Sequence, residues 1–136
     1  MTVIYRELLA DRYRASHTAA LFGINFPMRL EPAIFTIAGR LSQDYSGGLW
    51  LFHALCNGGF YMAPQSEGRF RVSAENGFEG EMSADALGIT ACLYAYSQLS
   101  FTGEGAFQET CVEQFHLLRA FALDHAEADA IFAAID

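Results

Sequence analysis

The stretch LWLFHALCNGGFYMAP, Leu49 to Pro64, holds ten apolar or aromatic side chains, one His and one Cys around an Asn-Gly-Gly break. From Leu49 to Cys56 the apolar run is nearly continuous and of strand length, so it reads as a strand covered on both faces. Asn57-Gly58 marks a hairpin, because both residues tolerate positive φ. Phe60 to Ala63 returns as a second strand, and Pro64, which cannot donate to a ladder, ends it. Trp50, Phe52, Phe60 and Met62 are assigned to the core, since fully burying such a side chain contributes roughly 1.5–3 kcal/mol.

The next segment repeats the motif with one apolar and one polar face. Phe70, Val72 and Ala74 alternate with Arg69, Arg71 and Ser73, and Phe78, Gly80 and Met82 alternate with Glu79 and Glu81. A two-residue Asn76-Gly77 loop would set Ala74 and Val72 against Glu79 and Glu81, which mixes the faces. A three-residue loop, Glu75-Asn76-Gly77, pairs Ala74 with Phe78, Val72 with Gly80 and Phe70 with Met82. It also sets Arg71 opposite Glu81, worth roughly 0.2–1 kcal/mol. The expectation is this longer loop, with Gly77 left-handed in a bulge.

The flanks read as helices. Residues 3–22 suggest helix in one or two pieces, closed by Gly23. Pro32 opens another, with Ile34, Ile37, Ala38 and Leu41 at helical spacing, and Ser46-Gly47-Gly48 stops it. Ser83 is a good N-cap for a long segment from Ala84 to about Leu99 that is apolar on most sides and reads as a central buried helix. After the break at Thr102–Gly105, Phe107, Cys111, Phe115, Leu118 and Ala122 form the inner stripe of an amphipathic helix. Glu109, Glu113, Gln114 and His116 form its outer face. A short helix near Glu127 to Ala134 completes the chain. The fold class is α+β: one domain over residues 1–136, with a small antiparallel sheet, about a four-stranded meander over residues 49–82, packed with N- and C-terminal helices.

Composition narrows the functional classes. The 136 residues include eight Arg, no Lys and sixteen acids, for a net charge of −8. Residues 1–41 balance at +2 and residues 42–136 at −10. A nucleic-acid binder needs cations to displace counterions from phosphates, so strong nucleic-acid binding is not expected. No apolar run approaches the ~20 residues of a membrane span, and the N-terminus lacks the pattern of a secretory signal. A soluble cytoplasmic protein is the expectation. Cys56, Cys92 and Cys111 fit reduced, buried thiols and show no zinc spacing.

His53 and Cys56 lie three apart on a strand and so diverge, and Cys56 sits in an apolar run rather than the electropositive setting a reactive thiol needs. No glycine cluster matches a phosphate-cradling loop. Glu79 and Glu81 share one face of a strand and, with Asp85, read as a solvated or binding face rather than an acid–base pair. No catalytic, cofactor or metal site is assigned.

Two blocks, YSGGLWLFHALCNGGFYMAP (Tyr45–Pro64) and NGFEGEMSADALGI (Asn76–Ile89), resemble the signature blocks of the ArdB/KlcA antirestriction proteins. One departure is Leu-Cys-Asn at 55–57, where Leu-Ser-Asn is expected. The resemblance implies a protein of plasmids, prophages and genomic islands that lessens restriction by type I restriction–modification systems when foreign DNA enters a cell. Its partner would be the restriction complex or an accessory protein, reached directly or indirectly. The resemblance carries over no catalytic residue.

Three mechanisms stay open. In one, the protein docks non-catalytically through a shaped surface. In another, its carboxylates imitate DNA, although eight net charges are sparse beside duplex DNA with one charge per about 1.7 Å. The third is a small enzyme acting through His53, Cys56 or Asp85. Docking is preferred, and the candidate surface is the rim formed by Tyr45, Asn57, Glu79, Glu81 and Asp85.

Overall fold

The apolar segment after Ser83 becomes the centre of the molecule. In the computed structural model, which describes residues 3–102 and 105–136, helix α3 (Ala84–Thr102) buries eleven residues on all sides. Its start is capped as expected, with the Ala86 N–H donating to Ser83 Oγ at 3.1 Å. Around it lie β1 (Arg6–Leu8), α1 (Asp11–Phe22), a π-helical turn (Phe26–Leu30) and α2 (Glu31–Leu41). Then follow β2 (Trp50–Leu55), β3 (Phe60–Pro64), β4 (Arg69–Ser73) and β5 (Glu79–Ser83), with α4 (Ala106–Ala122) and α5 (Ala128–Ile135) after α3. Gly103 and Glu104, in the expected break between α3 and α4, lie outside the described residues. No helix among the described residues is long and apolar enough to cross a membrane.

The architecture is α+β and its strands are antiparallel, but the meander divides. β1, β2 and β3 form one sheet in that order, and β4 and β5 form a separate hairpin. The division has a physical reason at β3. Met62 does not exchange ladder bonds with its partner Phe52, so its backbone groups face outward. There α3 meets them: Cys92 Sγ lies 3.5 Å from both the N and the O of Met62, and the Tyr96 hydroxyl donates to the Phe60 carbonyl at 2.7 Å. A helix covers the edge that β4 would otherwise extend. Burial pushes the Cys92 thiol up to about 12, so it stays protonated and can donate.

β1 also departs from the helical expectation. Residues 3–22 are not helical throughout, because the chain first pairs Arg6–Leu8 with Leu55–His53 before α1 begins. Val3-Ile4-Tyr5, β-branched and aromatic, suit an extended approach, but the free edge of β2 fixes the pairing.

Both hairpins close through three-residue loops whose last residue is a glycine at positive φ: Gly58 at 96° and Gly77 at 94°. The register of the second hairpin is the expected one, with Phe70 opposite Met82, Arg71 opposite Glu81 and Val72 opposite Gly80. Arg71, though, gives its hydrogen bonds to Asp44, from Nη2 at 2.8 Å and Nε at 3.1 Å. This holds the Asp44 carboxyl down at about 2. The two loop asparagines do matching work. Asn57 Oδ1 accepts from Gly59 N–H and its Nδ2 donates to the Leu117 carbonyl of α4 at 3.0 Å. Asn76 Oδ1 accepts from Phe78 N–H and its Nδ2 donates to the Ala133 carbonyl of α5 at 2.8 Å.

The first hairpin also draws in a residue expected on the outer face of α4. Gln114 is buried rather than solvated, because its Nε2 donates to the Gly58 carbonyl at 3.0 Å. Replacing Asn57 with Ala removes both the turn bond and the tie to α4. It should cost about 1–2 kcal/mol, seen as a lower urea midpoint with an unchanged slope.

Candidate functional site

Five side chains from four distant parts of the chain converge on one face of the three-stranded sheet. β1 supplies Arg6, the hairpin of β2 and β3 supplies His53 and Tyr61, the first turn of α3 supplies Asp85, and the turn after α4 supplies His125. Arg6 Nη1 donates to the Tyr61 hydroxyl at 2.6 Å and to Asp85 Oδ1 at 2.7 Å. The Tyr61 hydroxyl donates to the same oxygen at 2.8 Å. His125 Nε2 lies 2.8 Å from Asp85 Oδ2, and the Glu127 N–H donates to His125 Nδ1 at 2.9 Å. That second bond assigns the ring proton to Nε2, so His125 donates to Asp85. Glu127 continues the network: it accepts from the Ser83 N–H at 2.9 Å, from the Ser83 hydroxyl, and from Arg69 Nη1 at 3.0 Å.

The charges compensate one another. Burial raises the Asp85 pKa, but hydrogen bonds from His125 and Tyr61 and the charge of Arg6 outweigh it, and the carboxyl titrates below its usual value. Burial, then the neighbouring Asp85 charge, pushes Tyr61 far above the usual phenol value. His53 stacks on Tyr61 with ring centroids 4.7 Å apart, and its Nδ1 is buried without a partner. Burial first and Arg6 second lower the His53 pKa to about 4, so its ring is neutral at physiological pH.

This sets a pH dependence. Between pH 6.5 and 4 the unfolded chain protonates His53 and the folded chain does not, so stability falls as pH falls through that window. Going from pH 7 to pH 5 should cost on the order of 2 kcal/mol. His53→Phe should remove most of that loss in parallel melts at the two pH values.

Beside the cluster lies an open cleft of about 470 Å³, lined by Arg6, Leu51, His53, Pro64, Ser66 and Asp85 among others. It shares Pro64, Gln65 and Ser66 with a second depression of about 250 Å³ bordered by Tyr45, Gly47, Gly48 and Leu49. A third, of about 670 Å³, is bordered by Arg40, Arg71, Glu79 and Glu81. Thus Tyr45 and Asp85 border connected depressions, and Glu79 and Glu81 are exposed on another. Tyr45 is half-buried and its hydroxyl accepts from Trp50 Nε1 at 3.0 Å. Asn57 stands apart, turned onto α4.

The three residues of the enzymatic alternative do not meet. His53 and Asp85 line the same cleft, whereas Cys56 follows the other end of β2 with its Sγ accepting from the Tyr5 N–H at 3.1 Å. Cys56 is also exposed, against the expectation that all three thiols are buried, because the covered part of the strand ends at Leu55. Among the described residues, no group of three or more His, Cys, Asp and Glu is placed to hold a metal ion. Arg6, Tyr61 and His125 were not singled out from the sequence. Each reaches Asp85 across 24 to 79 positions, and nothing local marks them.

The profile of the antirestriction protein family matches residues 43–136. An antirestriction protein KlcA of Escherichia coli is 50% identical over 138 residues, covering 98% of this chain and 93% of that protein. A second KlcA from the same species is 39% identical over 132 residues, covering 96% and 93%. A solved structure aligns with a TM-score of 0.90 at 39% identity, covering 99% of this chain and 96% of the other. It comes from work describing KlcA and ArdB as showing a novel fold and antirestriction activity against type I DNA restriction systems in vivo but not in vitro.

Proposed function

This chain belongs to the antirestriction protein family, and from that premise we propose that it lessens type I restriction by docking, without catalysis, on a protein partner in the cell. The observation that carries the reading is the state of the Asp85 cluster. Both carboxylate oxygens are taken by Arg6, Tyr61 and His125, and His53 is neutral and packed on Tyr61. Such a network braces the junction of β1, the hairpin of β2 and β3, α3 and the turn after α4, and it gives the surface above it one fixed shape. Activity of the related proteins in vivo but not in vitro supports a partner that the cell supplies, either the restriction complex in its working state or an accessory protein.

The docking face in this reading is the rim of the depressions that carry Tyr45, Asp85, Glu79 and Glu81, with Asn57 holding the first hairpin against α4. Glu79 and Glu81 present their carboxylates to solvent, whereas Asp44, Asp85 and Glu127 are committed to Arg71, Arg6 and Arg69. The acids that would imitate DNA are reduced accordingly.

The test is plating of unmodified phage on a host with a type I system. Wild type and Cys56→Ala should relieve restriction equally, and Glu79→Lys combined with Glu81→Lys should lower relief about tenfold, the equivalent of 1.4 kcal/mol. Loss of relief in Cys56→Ala with an intact melting temperature would assign reaction chemistry instead. Affinity for the captured partner should change little with salt; a steep fall would favour imitation of DNA.

A further inference from the structure

β1 is the open end of its sheet. In the ladder with β2, the Cys56 N–H donates to the Tyr5 carbonyl at 2.9 Å and the Leu9 N–H donates to the Phe52 carbonyl at 2.8 Å. Tyr5, Glu7 and Leu9 therefore turn their backbone groups toward β2, and by alternation Arg6 and Leu8 turn theirs outward. Arg6, Glu7 and Leu8 are all exposed. The other strands are treated differently. The outer backbone of β3 is met by Cys92 and Tyr96, the Arg71 N–H of β4 by Asp44 at 2.9 Å, and the Ser83 N–H of β5 by Glu127 at 2.9 Å.

The side chains on this edge select what can pair with it. The Arg6 charge is already directed at Asp85, whereas Glu7 has no ion-pair partner among the described residues. A second copy paired about a two-fold axis centred on β1 would set Glu7 against Glu7, and each copy carries a net charge of −8. The same carboxylate that rejects a copy accepts a cation. Tyr5, 69% exposed, and the half-buried Leu9 lie on the same face as Glu7, two positions to either side. The edge is continuous with the cleft described above, because the Arg6 side chain lines that cleft.

We propose that β1 is a docking edge that takes, as a fourth strand, an extended segment of a protein partner with a basic residue opposite Glu7 and apolar residues two positions to either side. The assignment rests on the docking reading and gives it a surface and a recognition chemistry.

Two variants of the full chain test it. Leu8→Pro deletes an outward N–H and leaves every bond between β1 and β2 in place, a substitution an edge strand tolerates. Glu7→Arg reverses the selecting charge on an exposed side chain. Each should keep the wild-type melting temperature, lower relief of type I restriction at least tenfold, and lose the type I component or accessory protein that tagged wild type retains. Glu7→Gln should lose less. Wild-type relief by both Leu8→Pro and Glu7→Arg overturns the proposal, and if Leu8→Pro does not accumulate folded, Glu7→Arg alone decides. Should wild type itself retain no such protein, the docking reading falls. Should wild type, Leu8→Pro and Glu7→Arg all retain it, only the edge assignment falls.

Discussion

Gly88→Ala is expected to be the most damaging single-methyl change in the protein, costing more than about 3 kcal/mol and in practice yielding little folded material. A Cβ at position 88 would overlap the Cα and Cβ of Ala63 and the carbonyl oxygen of Met62. Those atoms are strand backbone and its first carbon, so no rotamer change relieves the overlap. Gly88, Cys92 and Tyr96 recur every four residues along α3, which makes one stripe facing β3. Lifting the helix to admit the methyl group would also break the Cys92 contacts to Met62 and the Tyr96 bond to Phe60. Gly39 supplies the control. It lies within α2, an added Cβ there meets nothing within 4 Å, and Gly39→Ala should be neutral or stabilise by up to about 1 kcal/mol. Thermal melts of the two variants side by side check the contrast.

Asp85→Ala is the second large effect. It leaves Arg6, Tyr61 and His125 without their common acceptor, in a cluster where the Asp85 side chain is 25% exposed and that of Arg6 45%. Breaking a fully buried pair costs roughly 3–5 kcal/mol; partial exposure brings the expectation to about 2–3 kcal/mol. That corresponds to a fall in melting temperature on the order of 10 °C for a chain of this length. Asp85→Asn should cost less, because the amide oxygen still accepts from one donor. The pH profile separates this role from general loss of packing. The Asp85 pKa is lowered by folding, so its contribution is present above the unfolded value near 3.8 and is lost as pH falls below it. Asp85→Ala should therefore melt with less acid sensitivity than wild type below pH 4. His53→Phe should lose its sensitivity higher, between pH 6.5 and 4.

The candidate site was half legible. Asp85 and His53 were marked by their surroundings: an acid in the first turn after a Ser cap, and an imidazole inside an apolar strand. Glu79 and Glu81 were marked as a solvated pair by strand alternation, and both are exposed. Arg6, Tyr61 and His125 carried no mark of this site, because an arginine beside a glutamate, a tyrosine in an apolar strand and a histidine near a helix end are each ordinary.

What the sequence determined by itself was local and periodic. Strand alternation and like-face matching chose a three-residue loop for the second hairpin, a segment apolar on most sides announced the buried α3, and Ser83 marked its start. These follow from the period of the backbone and the φ preferences of a few residues, which act over a turn or two of chain. Tertiary structure alone decided whether residues 3–8 became strand or helix, which edge α3 covered, and which charges neutralised one another. Each of those outcomes depends on a free ladder edge or an unpaired carboxylate brought from far along the chain, so its energy exists only once the pieces have met.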